Sequence, residues 1–134
     1  MRSKALTFLT AITVVGTSFT ATAVAAPADG CSPNYVCLYE HADFSGHSIV
    51  FEAPREVPFD LVTLVCPGCV SSKHPASNGR WNDQMSSWIN NSGTTYCWFF
   101  DEDYGVEGHV MNTYSAVRRL PDRENDEASS LGPC

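Results

Sequence analysis

The sequence contains few basic residues: 8 Lys and Arg stand against 15 Asp and Glu, so the formal net charge is -7 at pH 7. An acidic surface repels nucleic acid and anionic lipid, and it suits cations or a basic partner. The sequence also lacks an amphipathic helical stripe longer than about ten residues, which argues against a helical fold. We therefore expect no nucleic-acid partner and a fold built from strands.

Motifs for catalysis and for zinc fingers are also missing. Ser86 and Ser129 lack the Gly-x-Ser-x-Gly context of an exposed nucleophile, and no spacing suggests a triad or a pair of carboxylates. The histidines are scattered, and none pairs with cysteines at zinc-finger spacing. Cys66-Pro67-Gly68-Cys69 has the spacing of a redox motif but lacks the strand-helix-strand context that such a motif needs. We predict that the chain is not an enzyme.

The start of the chain has the pattern of a secretory signal peptide. Arg2 and Lys4 precede an uncharged stretch of apolar, small or hydroxyl residues, and a small-x-small cleavage site ends at Ala25. A cut after Ala26, or a retained membrane anchor, are the alternatives. We predict a signal peptide at 1–25 and a single domain at 26–134 that is secreted, extracellular and monomeric, and is not held in a membrane.

All six cysteines follow this segment, and an even number in an exported chain indicates disulfides. Fifteen pairings are possible for six cysteines. Proximity in the sequence favours Cys31–Cys37 and Cys66–Cys69, which leaves Cys97–Cys134. The last bridge would tie the final residue back to a strand.

Runs of aromatic and β-branched residues predict an all-β domain. We expect short antiparallel strands at 35–39, 48–51, 87–89, 94–100, 109–111 and 116–120, with a turn at 90–93. Prolines interrupt residues 53–80, which we predict to be a long irregular insertion.

The chain contains an internal repeat with an offset of 60 residues. The run CLYEHADFSG from Cys37 aligns with CWFFDEDYGV from Cys97, and each unit later contains Asn-Asp-x-x-Ser-Ser, as NDQMSS at 82–87 and NDEASS at 125–130. We therefore predict two copies of one supersecondary unit, at about 31–90 and 91–134.

The repeated hexapeptide offers hard oxygen ligands. Asp83 with Ser86, and Asp126 with Ser129, each supply a carboxylate and a hydroxyl. Calcium takes six to eight oxygen ligands, so one loop cannot fill its shell and the other unit must contribute. Turn formation is the alternative, because Asn, Asp and Ser side chains bond nearby backbone groups. We predict up to two calcium sites with dissociation constants of about 10⁻⁴ to 10⁻³ M.

The pattern Tyr39-x4-Phe44-x-Gly46 followed by the hexapeptide at 82–87 resembles the βγ-crystallin signature. The resemblance implies a sandwich of two Greek keys in which each key completes the calcium site of the other. One site would join Asp83 and Ser86 to the backbone near Phe100 and Asp101, and the other would join Asp126 and Ser129 to the backbone near Glu40. The candidate metal residues are therefore Asn82, Asp83, Ser86, Asn125, Asp126, Ser129, Glu40 and Asp101.

The second unit departs from that signature at one position. Val106 stands where the pattern has Gly. We expect Gly105 or Gly108 to take its role through a shifted or bulged turn.

A second resemblance covers nearly all of the chain after the signal segment. The run Cys31-x5-Cys37-Leu-Tyr-Glu and the later run Ser86-Ser87-Trp88-x-Asn90 are similar to the secreted actinobacterial proteins of peptidase inhibitor family I36. The resemblance implies an extracellular inhibitor of thermolysin-like metalloproteases that acts through an exposed, disulfide-braced loop on a βγ-crystallin-like sandwich.

The inhibitory loop of that family lies in the second half of its founding members, whereas the short bridge here lies in the first half. We assign the candidate loop to Val65, Cys66, Cys69 and Val70, with Val70 or Val65 as the apolar residue that the protease selects. The simpler alternative is that the bridge only holds the insertion together.

Two other functions compete with the inhibitor. One is a calcium-binding extracellular module with no protease target. The other is a small secreted toxin, which no feature of the sequence specifically supports.

Overall fold

The computed structural model describes residues 30–54, 59–105 and 108–134, which form two four-stranded antiparallel sheets. The signal peptide predicted at 1–25 lies outside the described residues. The strands are β1 (Tyr35–His41), β2 (Ser45–Glu52), β3 (Phe59–Asp60), β4 (Ser87–Asn91), β5 (Tyr96–Phe99), β6 (His109–Met111), β7 (Ser115–Val117) and β8 (Ser130–Pro133). Four short 3₁₀ turns lie at Ala42–Phe44, Leu61–Thr63, Pro75–Ser77 and Glu102–Tyr104.

Each sheet takes three strands from one unit of the repeat and one strand from the other. The order is β2-β1-β4-β7 in the first sheet and β3-β8-β5-β6 in the second. Because β3 and β7 cross between the sheets, neither unit can form its sheet alone. The predicted sandwich of two Greek-key units is therefore confirmed, and the all-β fold class with it.

The alternation of side chains along the strands explains how the core forms. Val36 and Leu38 of β1 face the other sheet, where they meet Tyr96 and Trp98 of β5. The alternate residue Cys37 faces outwards into a smaller buried cluster. A strand with period-two alternation normally leaves one face exposed to solvent. Here the smaller cluster that contains Cys37 covers part of that face.

Both units fold the hairpin after their first strand in the same way. The residues with positive φ are Asp43 (58°) and Phe44 (58°) in the first unit, and Asp103 (55°) and Tyr104 (62°) in the second. In each unit the second of these side chains contacts an aromatic ring of the preceding strand. The ring centroids of Tyr39 and Phe44 lie 5.6 Å apart, and those of Phe99 and Tyr104 lie 5.4 Å apart. The offset of 60 residues is thus kept in three dimensions.

The glycines of the two hairpins do not play equivalent parts. Gly46 has φ +80°, and a Cβ there would lie 2.8 Å from the His41 ring. Gly105 has φ -76°, so the expectation that it replaces the missing positive-φ glycine is wrong for this residue. Gly108 is needed for a different reason, because a Cβ there would lie 2.6 Å from the Phe99 ring. Val106 itself lies outside the described residues.

The three disulfides are Cys31–Cys37, Cys66–Cys69 and Cys97–Cys134, the pairing that sequence proximity favours.

The remaining expectations differ from the structure mainly at strand ends. The strand expected at 116–120 is shorter and spans Ser115–Val117, and β3 and β8 were not expected. No helix in the described ranges is long and apolar enough to cross a bilayer.

Candidate functional site

Residues 64–70, hereafter the braced loop, form a tight turn held by backbone hydrogen bonds. The N–H of Cys69 donates to the carbonyl of Cys66 (3.0 Å), and Gly68 between them has φ +97°. A Pro-Gly pair with Gly at positive φ is typical of a type II turn. The loop is also paired with the end of the insertion, since Cys66 N–H donates to Gly79 O (2.9 Å) and Gly79 N–H to Cys69 O (3.0 Å).

The braced loop presents two valines to solvent. Val65 is 71% exposed and Val70 is 64% exposed, whereas Cys66 and Cys69 belong to the main core. The disulfide therefore fixes the loop from below while both apolar side chains point away from the protein. Large exposed apolar side chains on a rigid loop are available for a partner.

A buried carboxylate anchors the braced loop to β1. Glu40 is 5% exposed, and its Oε1 accepts a hydrogen bond from the backbone N–H of Val70 (3.1 Å). Its Oε2 accepts from the backbone N–H of His47 (3.2 Å) and lies 2.6 Å from His47 Nδ1. The His47 ring in turn packs on Gly68, where a Cβ would lie 3.2 Å from it. Three segments of chain thus meet at one carboxylate.

The environment of Glu40 keeps its carboxyl ionised. Burial raises the pKa of this carboxyl, but the hydrogen bonds from His47 and from the Val70 N–H, together with the nearby His41, outweigh burial and leave the pKa below its ordinary value. The sequence predicted only a backbone contribution of Glu40 to a calcium site and did not indicate the contacts of its side chain. Its partner Val70 lies thirty residues away in the sequence, and no local pattern signals the contact.

The second serine of each hexapeptide ties the folded hairpin to the sheet. Ser87 Oγ donates to the carbonyl of His41 (2.6 Å) and accepts from the N–H of Phe44 (3.1 Å). Ser130 Oγ donates to the carbonyl of Asp101 (2.7 Å), at the position equivalent to His41. Both hydroxyls are fully buried. The terminal Ser of the motif therefore has a structural role that needs no metal.

The two hexapeptides, hereafter the motif pair, exchange backbone hydrogen bonds. Asp83 N–H donates to Ala128 O (3.0 Å), and Asp126 N–H donates to Met85 O (3.1 Å). Both aspartates have positive φ, 54° and 56°. This reciprocal pairing places each aspartate beside the opposite hexapeptide.

The hydroxyl of each first serine faces the aspartate of the opposite hexapeptide. Ser86 Oγ donates to Asp126 Oδ1 (3.3 Å), and Ser129 Oγ donates to Asp83 Oδ1 (3.4 Å). In the structure these contacts are therefore crossed, whereas the sequence-based hypothesis groups Asp83 with Ser86 and Asp126 with Ser129. The reciprocal backbone pairing places each aspartate beside the opposite serine.

The crossed pairs fit the oxygen chemistry of calcium. Neighbouring ligands at about 2.4 Å from one calcium ion stand roughly 3.4 Å apart, close to both the Ser86–Asp126 and the Ser129–Asp83 distances. Ser86 N–H bonds Tyr39 O (3.0 Å) and Ser129 N–H bonds Phe99 O (2.9 Å), so each pair sits beside the first strand of one unit.

The insertion adds hydroxyl groups to both aspartates. Ser77 Oγ donates to Asp83 Oδ2 (2.6 Å), and the amide of Asn82 donates to the same oxygen (2.6 Å). Ser71 Oγ donates to Asp126 Oδ2 (3.1 Å). Each carboxylate is therefore satisfied by protein donors, which calcium would have to displace.

The insertion also brings a cation to the second hexapeptide. Lys73 Nζ donates to the carbonyls of Asp122 (3.1 Å) and Asn125 (3.2 Å) and forms an ion pair with Glu127. Burial raises the pKa of the Glu127 carboxyl, but Lys73 and His74 lower it more, so the pKa lies below its ordinary value. Asn125 and Asp101 are both expected metal residues. The backbone carbonyl of Asn125 accepts a hydrogen bond from Lys73, and that of Asp101 accepts one from Ser130.

Comparison with protein families gives one match, to the model described as peptidase inhibitor family I36, over residues 24–113. The matched span exceeds half of the chain and contains the braced loop and the first hexapeptide. It ends before the second hexapeptide. Comparison with curated proteins finds no match.

Solved structures similar to this chain are βγ-crystallin domains. A structure concerning the evolution of the eye-lens βγ-crystallin fold, with no organism named, shares 24% identity and covers 77% of this chain and 87% of its own, with a TM-score of 0.56. A domain from Clostridium beijerinckii shares 18% identity over 72% of this chain and 93% of its own (TM-score 0.51), and one from Ciona intestinalis shares 23% over 75% and 99% (TM-score 0.50). At these identities the likeness establishes the fold alone.

Proposed function

The chain belongs to peptidase inhibitor family I36, and from that premise we propose that it is a secreted protein that inhibits an extracellular metalloprotease by inserting its braced loop into the active-site cleft. The family is one of inhibitors and not of enzymes, in agreement with the missing catalytic motifs. The observation that carries the proposal is a rigid loop with two exposed valines.

The rigidity of the braced loop supports this role. A loop that is already ordered loses little conformational entropy on binding, so more of its contact energy becomes affinity. Here the disulfide, the type II turn, the pairing with Gly79 and the Glu40 anchor all restrain the same seven residues. An insertion that was merely stapled would not require a buried carboxylate beneath its tip.

The exposed valines supply the recognition chemistry. Val65 and Val70 flank the bridge, so either side chain can enter an apolar specificity pocket while the turn stays fixed. Their apolar character favours proteases that select an apolar residue next to the cleaved bond, as thermolysin-like metalloproteases do, over proteases that require a charged one.

The test is an inhibition titration of the purified chain against thermolysin-like, serine and cysteine proteases at constant calcium. We expect stoichiometric inhibition of the metalloprotease only. Inhibition of a serine or cysteine protease alone would contradict the protease class, and no inhibition at micromolar protein would contradict the function.

As a second function, we propose that the motif pair binds calcium weakly at the two crossed sites. The crossed Ser–Asp distances support the proposal. Asp83 with Ser129, and Asp126 with Ser86, would hold the ions together with backbone carbonyls of the loops, and calcium would add rigidity to the domain. The affinity is low because Ser71, Ser77 and Asn82 already satisfy the carboxylates.

A further inference from the structure

We propose that His74, Asp83 and Glu127 form a binding site for a divalent transition metal of the zinc class, which shares Asp83 with one of the crossed Ser–Asp pairs and takes its other two ligands from outside them. Each residue offers one ligand atom, and the three atoms lie within 4.8 Å of one another. One ligand comes from the insertion and one from each hexapeptide. A bound ion would therefore join the insertion to both hexapeptides.

Backbone hydrogen bonds hold two of the three ligands in place. Asp83 is fixed by its hydrogen bond to Ala128 O, next to Glu127. His74 is fixed by its N–H, which donates to Ser71 Oγ (3.0 Å), and by its carbonyl, which accepts from Ser77 N–H (3.0 Å). Metal sites need such preorganised ligands, because ordering them on binding costs affinity.

Unsatisfied polar atoms occur on one of the ligands and on the two residues next to another ligand in the chain. Among the residues that the structure describes, three buried side-chain atoms lack a hydrogen bond: His74 Nε2, Asn82 Oδ1 and Gln84 Oε1. Two of these residues flank Asp83 in the chain, and the third is the proposed imidazole ligand. His74 Nε2 stands 3.4 Å from Glu127 Oε2, an ion-pair contact whose geometry is not that of a well-aligned hydrogen bond. Buried polar groups are normally satisfied, so this nitrogen has room for a further partner.

The donor set selects the class of metal. One imidazole nitrogen and two carboxylates suit zinc and neighbouring transition metals, whereas calcium takes only oxygen ligands, six to eight of them. Lys73 is paired with Glu127 Oε1, which leaves Oε2 facing His74. The side chains of His74 and Glu127 are 35% and 23% exposed, although His74 Nε2 itself is buried.

A second pair of His and Glu provides a matched control. His109 Nδ1 lies 3.6 Å from Glu124 Oε2, but among the described residues no third ligand completes a cluster there. His109 is exposed to a similar extent, at 31%. A histidine that binds metal only because it neighbours a carboxylate would behave alike at both places.

The experiment titrates the full chain, with its disulfides intact and metal removed by EDTA, with Zn²⁺ by calorimetry and with Co²⁺ by visible absorption. We expect one equivalent of each metal, and at least about tenfold weaker zinc binding in His74→Gln and in Glu127→Gln. His109→Gln is expected to bind zinc as the unmodified chain does.

Two outcomes overturn the site. One is the absence of saturable zinc binding at about millimolar metal, well above the range of protein zinc sites. The other is an equal loss of affinity in His74→Gln and His109→Gln, which would indicate only non-specific histidine binding. Neither outcome bears on the inhibitor function, because the braced loop contains none of the three ligands.

Discussion

The backbone N–H of Val70 donates a hydrogen bond of 3.1 Å to the buried carboxylate of Glu40. This contact joins the tip of the insertion to the first strand of the domain. His47 completes it by holding the other carboxylate oxygen and packing its ring on Gly68. The position of the exposed valines is therefore set by a residue of the sandwich and not by the loop alone.

Replacing Glu40 by Gln should loosen the braced loop. The substitution removes the charge that His47 and Val70 bond, and we expect a loss of about 1–3 kcal/mol in the free energy of unfolding. Inhibition should weaken in parallel, measured as a higher Ki against the sensitive protease. Glu52→Gln, on the exposed side of β2, is the control and should change neither quantity. Unchanged inhibition by Glu40→Gln would show that the anchor does not position the loop.

The stability of the chain should fall in acid partly because of Glu40. The pKa of this carboxyl is lowered in the folded state, so the folded protein binds the proton less well than the unfolded chain does. Its contribution is complete above the ordinary pKa of a glutamate and is lost as the pH falls through the lowered pKa. Thermal melts between pH 6 and about 3 should show a smaller acid loss in Glu40→Gln.

His41 and His47 also face Glu40 and remain able to donate hydrogen bonds when protonated. Glu127, whose pKa is also lowered, keeps its share of the acid loss in both proteins. An identical loss of stability in acid in the two proteins would therefore show that Glu40 does not contribute to it.

The second serine of each hexapeptide should matter for folding without any metal. Ser87→Ala removes a fully buried hydroxyl and leaves the carbonyl of His41 without its donor, and we expect destabilisation of about 1–3 kcal/mol. Ser45→Ala removes a comparable but exposed hydrogen bond to Ala42 O and should cost less than about 0.5 kcal/mol. Urea unfolding in EDTA compares the two variants. Equal stability of both would contradict the structural role.

The sequence predicted the repeat well, because its signal is local. Aromatic residues and an aspartate recur at an offset of 60, and the folded hairpins follow that offset at Phe44 and Tyr104. Strand β8 (Ser130–Pro133) was missed because its residues SLGP have no strand pattern of their own. It becomes a strand by pairing with β5, a contact between segments more than thirty residues apart.

For a related reason, the sequence could not predict which serine each aspartate contacts. Spacing shows that Asp83 and Ser86 are three residues apart, but the pairing of the two hexapeptides decides which hydroxyl each carboxylate meets. Likewise, nothing near Ser71 or Ser77 indicates that the insertion folds over both aspartates. Long-range packing determines the contacts of the site that the sequence pattern does not show.

Calcium should raise the melting temperature slightly. At ten times the dissociation constant, binding adds about 1.4 kcal/mol per site by mass action. Asp83→Ala and Asp126→Ala should each remove the stabilisation contributed by one calcium site. Ser71→Ala should strengthen calcium binding by freeing one oxygen of Asp126. Melting curves with calcium and with EDTA provide the measurement. Identical curves for the unmodified chain would exclude calcium.

The most direct test of the central claim is the Ki of Val65→Asp and Val70→Asp against the metalloprotease that the chain inhibits. We predict that at least one variant raises Ki by about thirtyfold or more, as expected for a contact of about 2 kcal/mol at an interface centre. Val110→Asp, at another exposed valine on β6, should inhibit as the unmodified chain does. Full inhibition by both loop variants would contradict the account and place the inhibitory surface elsewhere on the sandwich.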